Sequence, residues 1–565
     1  SRGIAAWNGK LYIGALDGRL IAIDMKTGKE VWTVHTFDPD EAPYSITGAP
    51  RVYDGKVVIG NGGADYGSRG FVVAHDAETG RQVWKFYIVP TDPAKGPDGE
   101  ASDSAMAIAL PTWHGKFWEA GGGGNAWDSF AYDPDENTVI IGTGNGSPHM
   151  WHFRSEGKGD NLFLCSLVGV DADTGVYKWH YQMVPEEDWD YTCTQPILLA
   201  DLVIDGRLRK VAMQAPKNGF FYVIDRTNGE LISAEGYTSV NTWASRIDMA
   251  TGRPVLQPGA HNTTIPHIMN PSWLAAHTWH PMSYNPRTGL VYFSAQEQAA
   301  IYARAADGAY TYTPGPGRSN SGQDFASHPE VRRELQPQVM ASEKGYLLAW
   351  DPVRQREAWR VTYPHPGSGG VLSTAGNLLV QGTIDKTLAI YRATDGTKLW
   401  EMNIDQAPVA GAITYMAGGE QYIAINAGWG GSPVYNLGPF RTATAKLLVF
   451  KLGGTASLPP MPAADTALPR PPRLTASEAQ VAVGRALFAA NCSRCHGDNA
   501  VGGVADLRFM SAESHARFAD VVLNGTLADR GMIGFAGQLT PSETEAIHAF
   551  LIARGNEDYA DATAR

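Results

Sequence analysis

The chain has 565 residues and carries 46 Lys and Arg against 58 Asp and Glu, a net charge of −12. That length exceeds one ordinary domain, the acidic balance argues against a nucleic-acid surface, and no apolar run is long enough to cross a bilayer. With 43% hydrophobic residues, 63 Gly, 16 Trp and 23 Tyr, the composition favours turn-rich β structure over helices. Residue 1 is Ser rather than Met, so an upstream stretch is expected to precede it.

From the N-terminus one signature recurs. Alternating apolar strands such as Leu20-Ile21-Ala22-Ile23 and Phe71-Val72-Val73-Ala74 run into an Asp, a Thr-Gly pair and then a Trp. Full copies join Asp24, Gly28 and Trp32, then Asp76, Gly80 and Trp84, then Asp171, Gly175 and Trp179. Weaker copies start at Asp225, Asp351 and Ala393. The physical reading is a hairpin: a strand ends, Asp caps a Thr-Gly turn, and the return strand carries a large aromatic anchor. Short strands repeating at about 40–50 residues predict a propeller. A β-sandwich is the competing architecture, but it does not repeat one hairpin signature this often.

The repeat fades after Leu447-Leu448-Val449-Phe450. Leu458-Pro-Pro-Met-Pro and Leu468-Pro-Arg-Pro-Pro472 then predict a semi-rigid linker over 456–473, between a β domain at 1–455 and a small all-α domain at 474–565. Thr475-x-x-Glu478 reads as a capping box opening a helix that ends near Asn491. Thr540-Pro541-Ser542-Glu543 reads as a second, with Ile547, Phe550 and Leu551 as the apolar stripe of its helix.

Between these helices lies Cys492-Ser493-Arg494-Cys495-His496. Two thiols at this spacing can add to the vinyl groups of one haem while His496 supplies an axial nitrogen, the mark of a c-type haem. A redox Cys pair would want a βαβ context and a zinc site two further ligands, and neither accompanies the motif. Met532 is the candidate second ligand and Met510 the alternative; a Met ligand raises the haem potential, as suits an electron acceptor. Covalent haem implies assembly outside the bacterial cytoplasm and hence a periplasmic location. The remaining cysteines, Cys165 and Cys193, read as buried small residues.

Propeller, Pro-rich linker and C-terminal cytochrome together resemble the quinohaemoprotein alcohol dehydrogenases, which use pyrroloquinoline quinone (PQQ), calcium and haem c. The specific stretches are Gly62-Gly63-Ala64-Asp65-Tyr66-Gly67-Ser68-Arg69-Gly70, Gly121 to Asp128, Gly142 to Pro148, Trp189-Asp190-Tyr191, Ala215-Pro216-Lys217-Asn218-Gly219 and Gly428-Trp429-Gly430-Gly431. The resemblance implies an all-β eight-bladed propeller, its first blade incomplete, followed by a small all-α cytochrome c domain. It implies Trp127 as the stacking floor of the quinone, flanked by glycines that let backbone approach closely. It implies Asp65, Asn145 and Asp190 as calcium ligands, Asp190 also as catalytic base, and Lys217 as a cation on the quinone oxygens. Arg2, Thr47, Gly63, Ala64, Asn125, Thr278 and Trp429 complete the implied quinone contacts.

Departures from the family pattern are equally specific. Asp65 stands where the family has Glu and reaches one methylene less far. Thr278 replaces an Asn and Asn125 replaces a Thr. The family's adjacent disulfide-bonded cysteines, expected just before Arg2, are not in the chain. Thr192 is uncharged where lanthanide-using members carry an Asp, which favours calcium. The expected reaction is oxidation of a small alcohol to an aldehyde or ketone, with electrons passing singly to haem c and then to a soluble cytochrome or cupredoxin; the protein is expected to be a monomer. The alternatives are a non-catalytic propeller that binds a partner beside an electron-relay cytochrome, a haem-containing propeller reductase, or a polymer-alcohol dehydrogenase or alkaloid hydroxylase of the same family.

Overall fold

The hairpin signature folds through the chemistry that its residues suggest. In the computed structural model Asp24 Oδ1 accepts the Thr27 N–H and hydroxyl at 2.7 and 2.8 Å. Asp76 repeats this on Thr79 and Asp171 on Thr174. The turn glycines Gly28, Gly80 and Gly175 sit at φ of 68°, 74° and 72°, the left-handed region that glycine enters without strain. The structure describes residues 2–38, 43–313, 320–325, 327–428, 445–459, 467–497, 500–501, 505–528, 532 and 534–564.

The resulting sheets are antiparallel and follow chain order. Six have four strands, beginning at Ala5, Arg51, Phe130, Leu198, Ser283 and Val371. A seventh has three: Ile413–Ala417, Glu420–Ala427 and Lys446–Lys451. This is a β-propeller with seven blades among the described residues, not the eight expected, because the strands between Ala5 and Lys451 are all used in these sheets and in short two-stranded insertions.

The repeated Trp turns out to bridge successive blades. Trp32 Nε1 donates to Ala77 O of the next turn, and its ring covers Gly80, where a Cβ would come within 2.9 Å. Trp84 treats Ala172 and Gly175 in the same way, and Trp359 treats Ala393 and Gly396. Trp179 covers Gly229, but Arg226 follows the turn Asp there, and the Trp179 Nε1 finds no partner. Arg226 instead ties the third and fourth blades through Asp133, 2.6 Å away and buried. Between the second and third blades Val58, Val72, Trp84 and Phe86 pack with Phe130, Ile141 and Val168 in one apolar layer.

The chain divides into two compact units, Ser1–Pro316 with Asn320–Asn403 and Ala410–Ile413, and Gly317–Ser319 with Ile404–Val409 and Thr414–Arg565. The described parts of 456–473 carry neither helix nor strand. The helix Glu478–Asn491 is capped by Ser477, whose Oγ accepts the Gln480 N–H at 3.3 Å, not by Thr475; Ser477 stands immediately before the first helical residue. The second capping box forms as expected, with the Thr540 N–H and hydroxyl on Glu543 Oε2 and the Glu543 N–H on Thr540 Oγ1. It opens the helix Pro541–Ala564, which buries Ile547, Phe550 and Leu551. No described helix is long and apolar enough to cross a membrane.

One reading of the cysteines is corrected. Cys165 and Cys193 are buried, but they are joined in a disulfide across 28 residues. Their strand-side and loop-side backbones approach to a Cα–Cα distance of 4.6 Å, within disulfide reach.

Candidate active site and haem segment

Three glycine-rich loops are stitched backbone to backbone. The Gly123 N–H donates to Ser68 O and the Gly70 N–H to Gly123 O, while the Gly124 N–H donates to Asn145 O at 2.8 Å. A Cβ on Gly144 would lie 2.4 Å from Asn125 O, and one on Gly63, whose φ is 124°, 2.6 Å from Pro43 O. Only glycine permits these approaches. They bring the segments bearing Gly63, Ala64 and Asp65, Asn125 and Trp127, and Asn145 into one cluster. Asn125 and Asn145 are both buried; Asn125 Nδ2 donates to Ser68 Oγ, whereas its Oδ1 has no partner.

Asp190 lies in the connection between the strands Tyr177–Gln182 and Leu198–Ile204, with a left-handed φ of 59°. Lys217 Nζ donates to Asp190 O at 2.9 Å and to its carboxylate Oδ2 at 3.3 Å. The Lys217 side chain is 10% exposed and that of Asp190 16%, so the pair is held largely away from water. Lys217 O in turn accepts the Ala276 N–H, drawing in the loop that carries the half-buried Thr278.

Arg2 and Thr47 also meet: Arg2 N–H donates to Thr47 O, and Arg2 Nη1 to Thr47 Oγ1 at 2.6 Å. The Arg2 guanidinium lies 4.5 Å from the Trp127 ring centroid and 5.3 Å from that of Trp279. Burial lowers the Arg2 pKa, and the charge of Asp128, the residue after Trp127, opposes that shift. Burial in turn raises Asp128, opposed by Arg2 and Arg51. Arg2 Nε and Asn125 Oδ1 are buried without hydrogen-bond partners. Unmet buried donors and acceptors beside an indole floor fit a flat polar quinone carrying carboxylates. Trp429 lies outside the described residues.

Asp65, Asn145 and Asp190 offer hard oxygens, as calcium requires. Asp65 is held by a residue that sequence reasoning did not select: His149 Nε2 lies 2.9 Å from Asp65 Oδ1, with the ring buried. Burial works against charge on His149, but Asp190, Asp65 and Glu187 together raise its pKa. Glu187 was also missed. It is wholly buried and accepts the N–H groups of Gly146, Trp189 and Tyr191, joining the Asn145 loop to the Asp190 loop. Nothing in Glu186-Glu187-Asp188 marks the middle acid as the one that joins the two loops. Thr192 Oγ1 accepts from Thr194 and Gln195.

In the helical segment His496 Nδ1 lies 2.9 Å from Ala505 O. That carbonyl fixes the tautomer that leaves Nε2 to coordinate, as metal-binding histidines do. Cys492, Met510 and Met532 all pack against one apolar cluster built on Phe488, Phe518, Phe535 and Phe550. Cys495 is exposed, and both cysteines are free. The set fits a covalent haem. Both methionines adjoin the cluster, so packing alone does not choose between them.

A propeller with these loops and a CxxCH helical domain defines a quinoprotein dehydrogenase with an attached cytochrome. The model for the glucose/ethanol/alcohol dehydrogenase β-propeller domain matches residues 37–242 and 234–423, and that for the cbb3-type cytochrome c oxidase subunit III matches 479–551. The chain is 47% identical to quinohemoprotein alcohol dehydrogenase ADH IIB of Pseudomonas putida over 99% of its length and 80% of that protein. It is 44% identical to the quinohemoprotein alcohol dehydrogenase of Comamonas testosteroni, over 98% and 77%. The crystal structure of the latter superposes with a TM-score of 0.85, covering 98% of this chain and 82% of that one. That of ADHIIG from Pseudomonas putida HK5 gives 0.90 at 46% identity, covering 99% and 82%. The chain belongs to the quinohaemoprotein alcohol dehydrogenases. It is a PQQ- and haem c-dependent enzyme that oxidises alcohols.

Proposed function

We propose that Asp190 is the base of this reaction, taking the hydroxyl proton of a bound alcohol on its carboxylate. The Lys217–Asp190 pair carries the reading: a buried ammonium 3.3 Å from a carboxylate on a left-handed loop residue is an arrangement that needs a reason. Lys217 orients the Asp190 carboxylate and reaches the quinone oxygens. Trp127 forms the floor, and Arg2, Thr47, Gly63, Ala64, Asn125, Thr278 and Trp429 complete the quinone contacts. Asp65, Asn145 and Asp190 hold calcium; Cys492 and Cys495 bind haem covalently, with His496 and Met532 on the iron. When bound, the quinone supplies the hydride acceptor, calcium the Lewis acid beside it, and haem the single-electron outlet.

The same reading includes the domain boundaries 1–455, 456–473 and 474–565, a periplasmic location, a monomer, and a soluble cytochrome or cupredoxin as acceptor. The test of the base is Asp190→Asn in the loaded holoenzyme. Alcohol-dependent haem reduction is expected to fall about 10²–10⁴-fold, with haem absorption and quinone content unchanged. A variant that keeps its quinone and the parent rate removes Asp190 from the role.

A further inference from the structure

The Cys165–Cys193 disulfide has no part in the reading above, yet it lies where three of its segments meet. Cys193 is three residues beyond Asp190 in a connection without regular structure. Its N–H donates to Thr143 O at 2.9 Å, and the Cys165 N–H donates to Gly144 O at 3.0 Å. Both cysteines therefore hang from the two residues that precede Asn145. Cys193 O accepts Gln214 Nε2 at 2.7 Å, and Gln214 ends the strand Arg207–Gln214, three residues before Lys217. A Cβ on Gly142 would lie 2.1 Å from Cys193 O, so the loop is pressed against the end of the strand Thr138–Gly142. Both cysteines are fully buried.

The Asp190 loop is thus held on two sides. Before Asp190, Glu187 takes the N–H groups of Trp189 and Tyr191. After it, the only covalent tie is the disulfide to Cys165, which opens onto the strand Ser166–Asp171 of the third blade. Asp190 itself adopts a backbone conformation unfavourable for a non-glycine residue, which persists only where its surroundings impose it.

We infer that the Cys165–Cys193 disulfide is a positioning device for the catalytic site: it fixes the Asp190 loop against the Asn145 and Lys217 segments, and so sets the geometry of the base. The inference rests on the assignment of Asp190 as base. It predicts an effect on turnover beyond any effect on stability, since the cross-link constrains the loop in the folded protein.

The experiment compares the loaded holoenzyme with its Cys165→Ala/Cys193→Ser variant, each with and without Asp190→Asn. Three readouts are taken: calcium-dependent PQQ affinity of the quinone-free protein by tryptophan quenching, kcat against KM for one alcohol, and the haem spectrum. Without the disulfide, kcat is expected to fall at least tenfold with KM within threefold, PQQ affinity to weaken at least fivefold, and the haem spectrum to be unchanged. In the Asp190→Asn background the same change is expected to move the residual rate less than twofold, because the group it positions is gone. A disulfide-free protein with parental kcat and PQQ affinity, however much less heat-stable, overturns the inference. Parental activity in Asp190→Asn alone overturns the base assignment instead, so the two failures are distinct. If the Ala/Ser pair does not fold, Cys165→Val/Cys193→Ala refills the space and is read in the same way. Failure of both to fold also overturns the inference, since the cross-link then serves the fold and not the site.

Discussion

Glu187→Gln tests how the base loop is joined to the metal loop. In the parent, Glu187 Oε1 accepts the Trp189 and Tyr191 N–H groups and Oε2 the Gly146 N–H, all at 2.9 Å. A Gln of the same shape keeps an acceptor on one side and turns a donor to the other, so at least one buried N–H faces another N–H. Such an unmade bond costs about 1–3 kcal/mol. Arg154 Nη1 lies 3.9 Å from Glu187 Oε2 with both side chains fully buried, and loses its counter-charge. Breaking a buried pair by removing one partner costs about 3–5 kcal/mol. The two costs overlap, because Arg154 keeps the carbonyl oxygens of Pro148 and His149 as acceptors. A total of about 3–5 kcal/mol follows. Burial pushes the Glu187 carboxyl pKa up, opposed by Arg154 and the Gly146 N–H, so parent and variant are compared over a pH series. Urea unfolding of the quinone-free protein followed by tryptophan fluorescence, with calcium-dependent PQQ loading measured in parallel, provides the assay. The expected result is the stated loss of stability and loading weakened at least tenfold. A variant within about 0.5 kcal/mol of the parent that loads normally would falsify the clamp.

Other perturbations reach separate parts of the molecule. His261 stacks between Trp151 and Trp189 and contacts Glu186 and Asp188. Burial alone lowers its pKa, but the two carboxylates raise it to about 9 from 6.5. A raised histidine contributes fully below 6.5 and loses its contribution as pH climbs to about 9. That rise corresponds to about 3 kcal/mol at most; with the side chain 34% exposed, screening brings this to about 1–2 kcal/mol. Melting temperature should therefore fall over that interval in the parent and stay flatter in His261→Gln; equal slopes would refute the pairing. Gly80→Ala puts a Cβ 2.9 Å from the Trp32 ring at φ 74°, and is expected to destabilise the propeller by about 1–3 kcal/mol while Gly55→Ala, strained but open, costs less. For the haem, Met532→Ala should lower the reduction potential and abolish the methionine–iron charge-transfer absorption, whereas Met510→Ala should leave both in place; the reverse result assigns the ligand to Met510.

The propeller was legible because its information is local and repeated. Asp, Thr and Gly within one turn make the hairpin, and the Trp that follows is spaced to reach the next turn. The number of blades was not legible, because each Trp specifies a neighbour and none specifies a total. Helix starts were readable to within two residues: Thr475 and Ser477 are both capping residues, and only the observed hydrogen bond to Gln480 chooses between them. The disulfide escaped because Cys165 and Cys193 are 28 residues apart, in segments whose apolar surroundings suit a lone buried thiol equally well.

The candidate site divides along the same line. The meeting of the glycine-rich loops was legible because glycine records a close backbone approach in the sequence itself; Gly63 and Gly144 each mark one. His149 and Glu187 act through side chains that hold other side chains or loops, and such a role leaves no pattern in the chain. Asp65 shows what that costs. Beside the Glu of the family pattern it is a carboxylate one methylene shorter. In the fold its Oδ1 meets His149 at 2.9 Å, so the shorter acid is oriented from behind by an imidazole. Whether Asp65 serves a metal therefore depends on the two residues together. A Glu placed at 65 would push its carboxylate past the point where His149 holds it, so Asp65→Glu alone should weaken calcium-dependent PQQ loading unless His149 is changed with it. Loading that improves in the single variant would show that His149 does not orient the ligand.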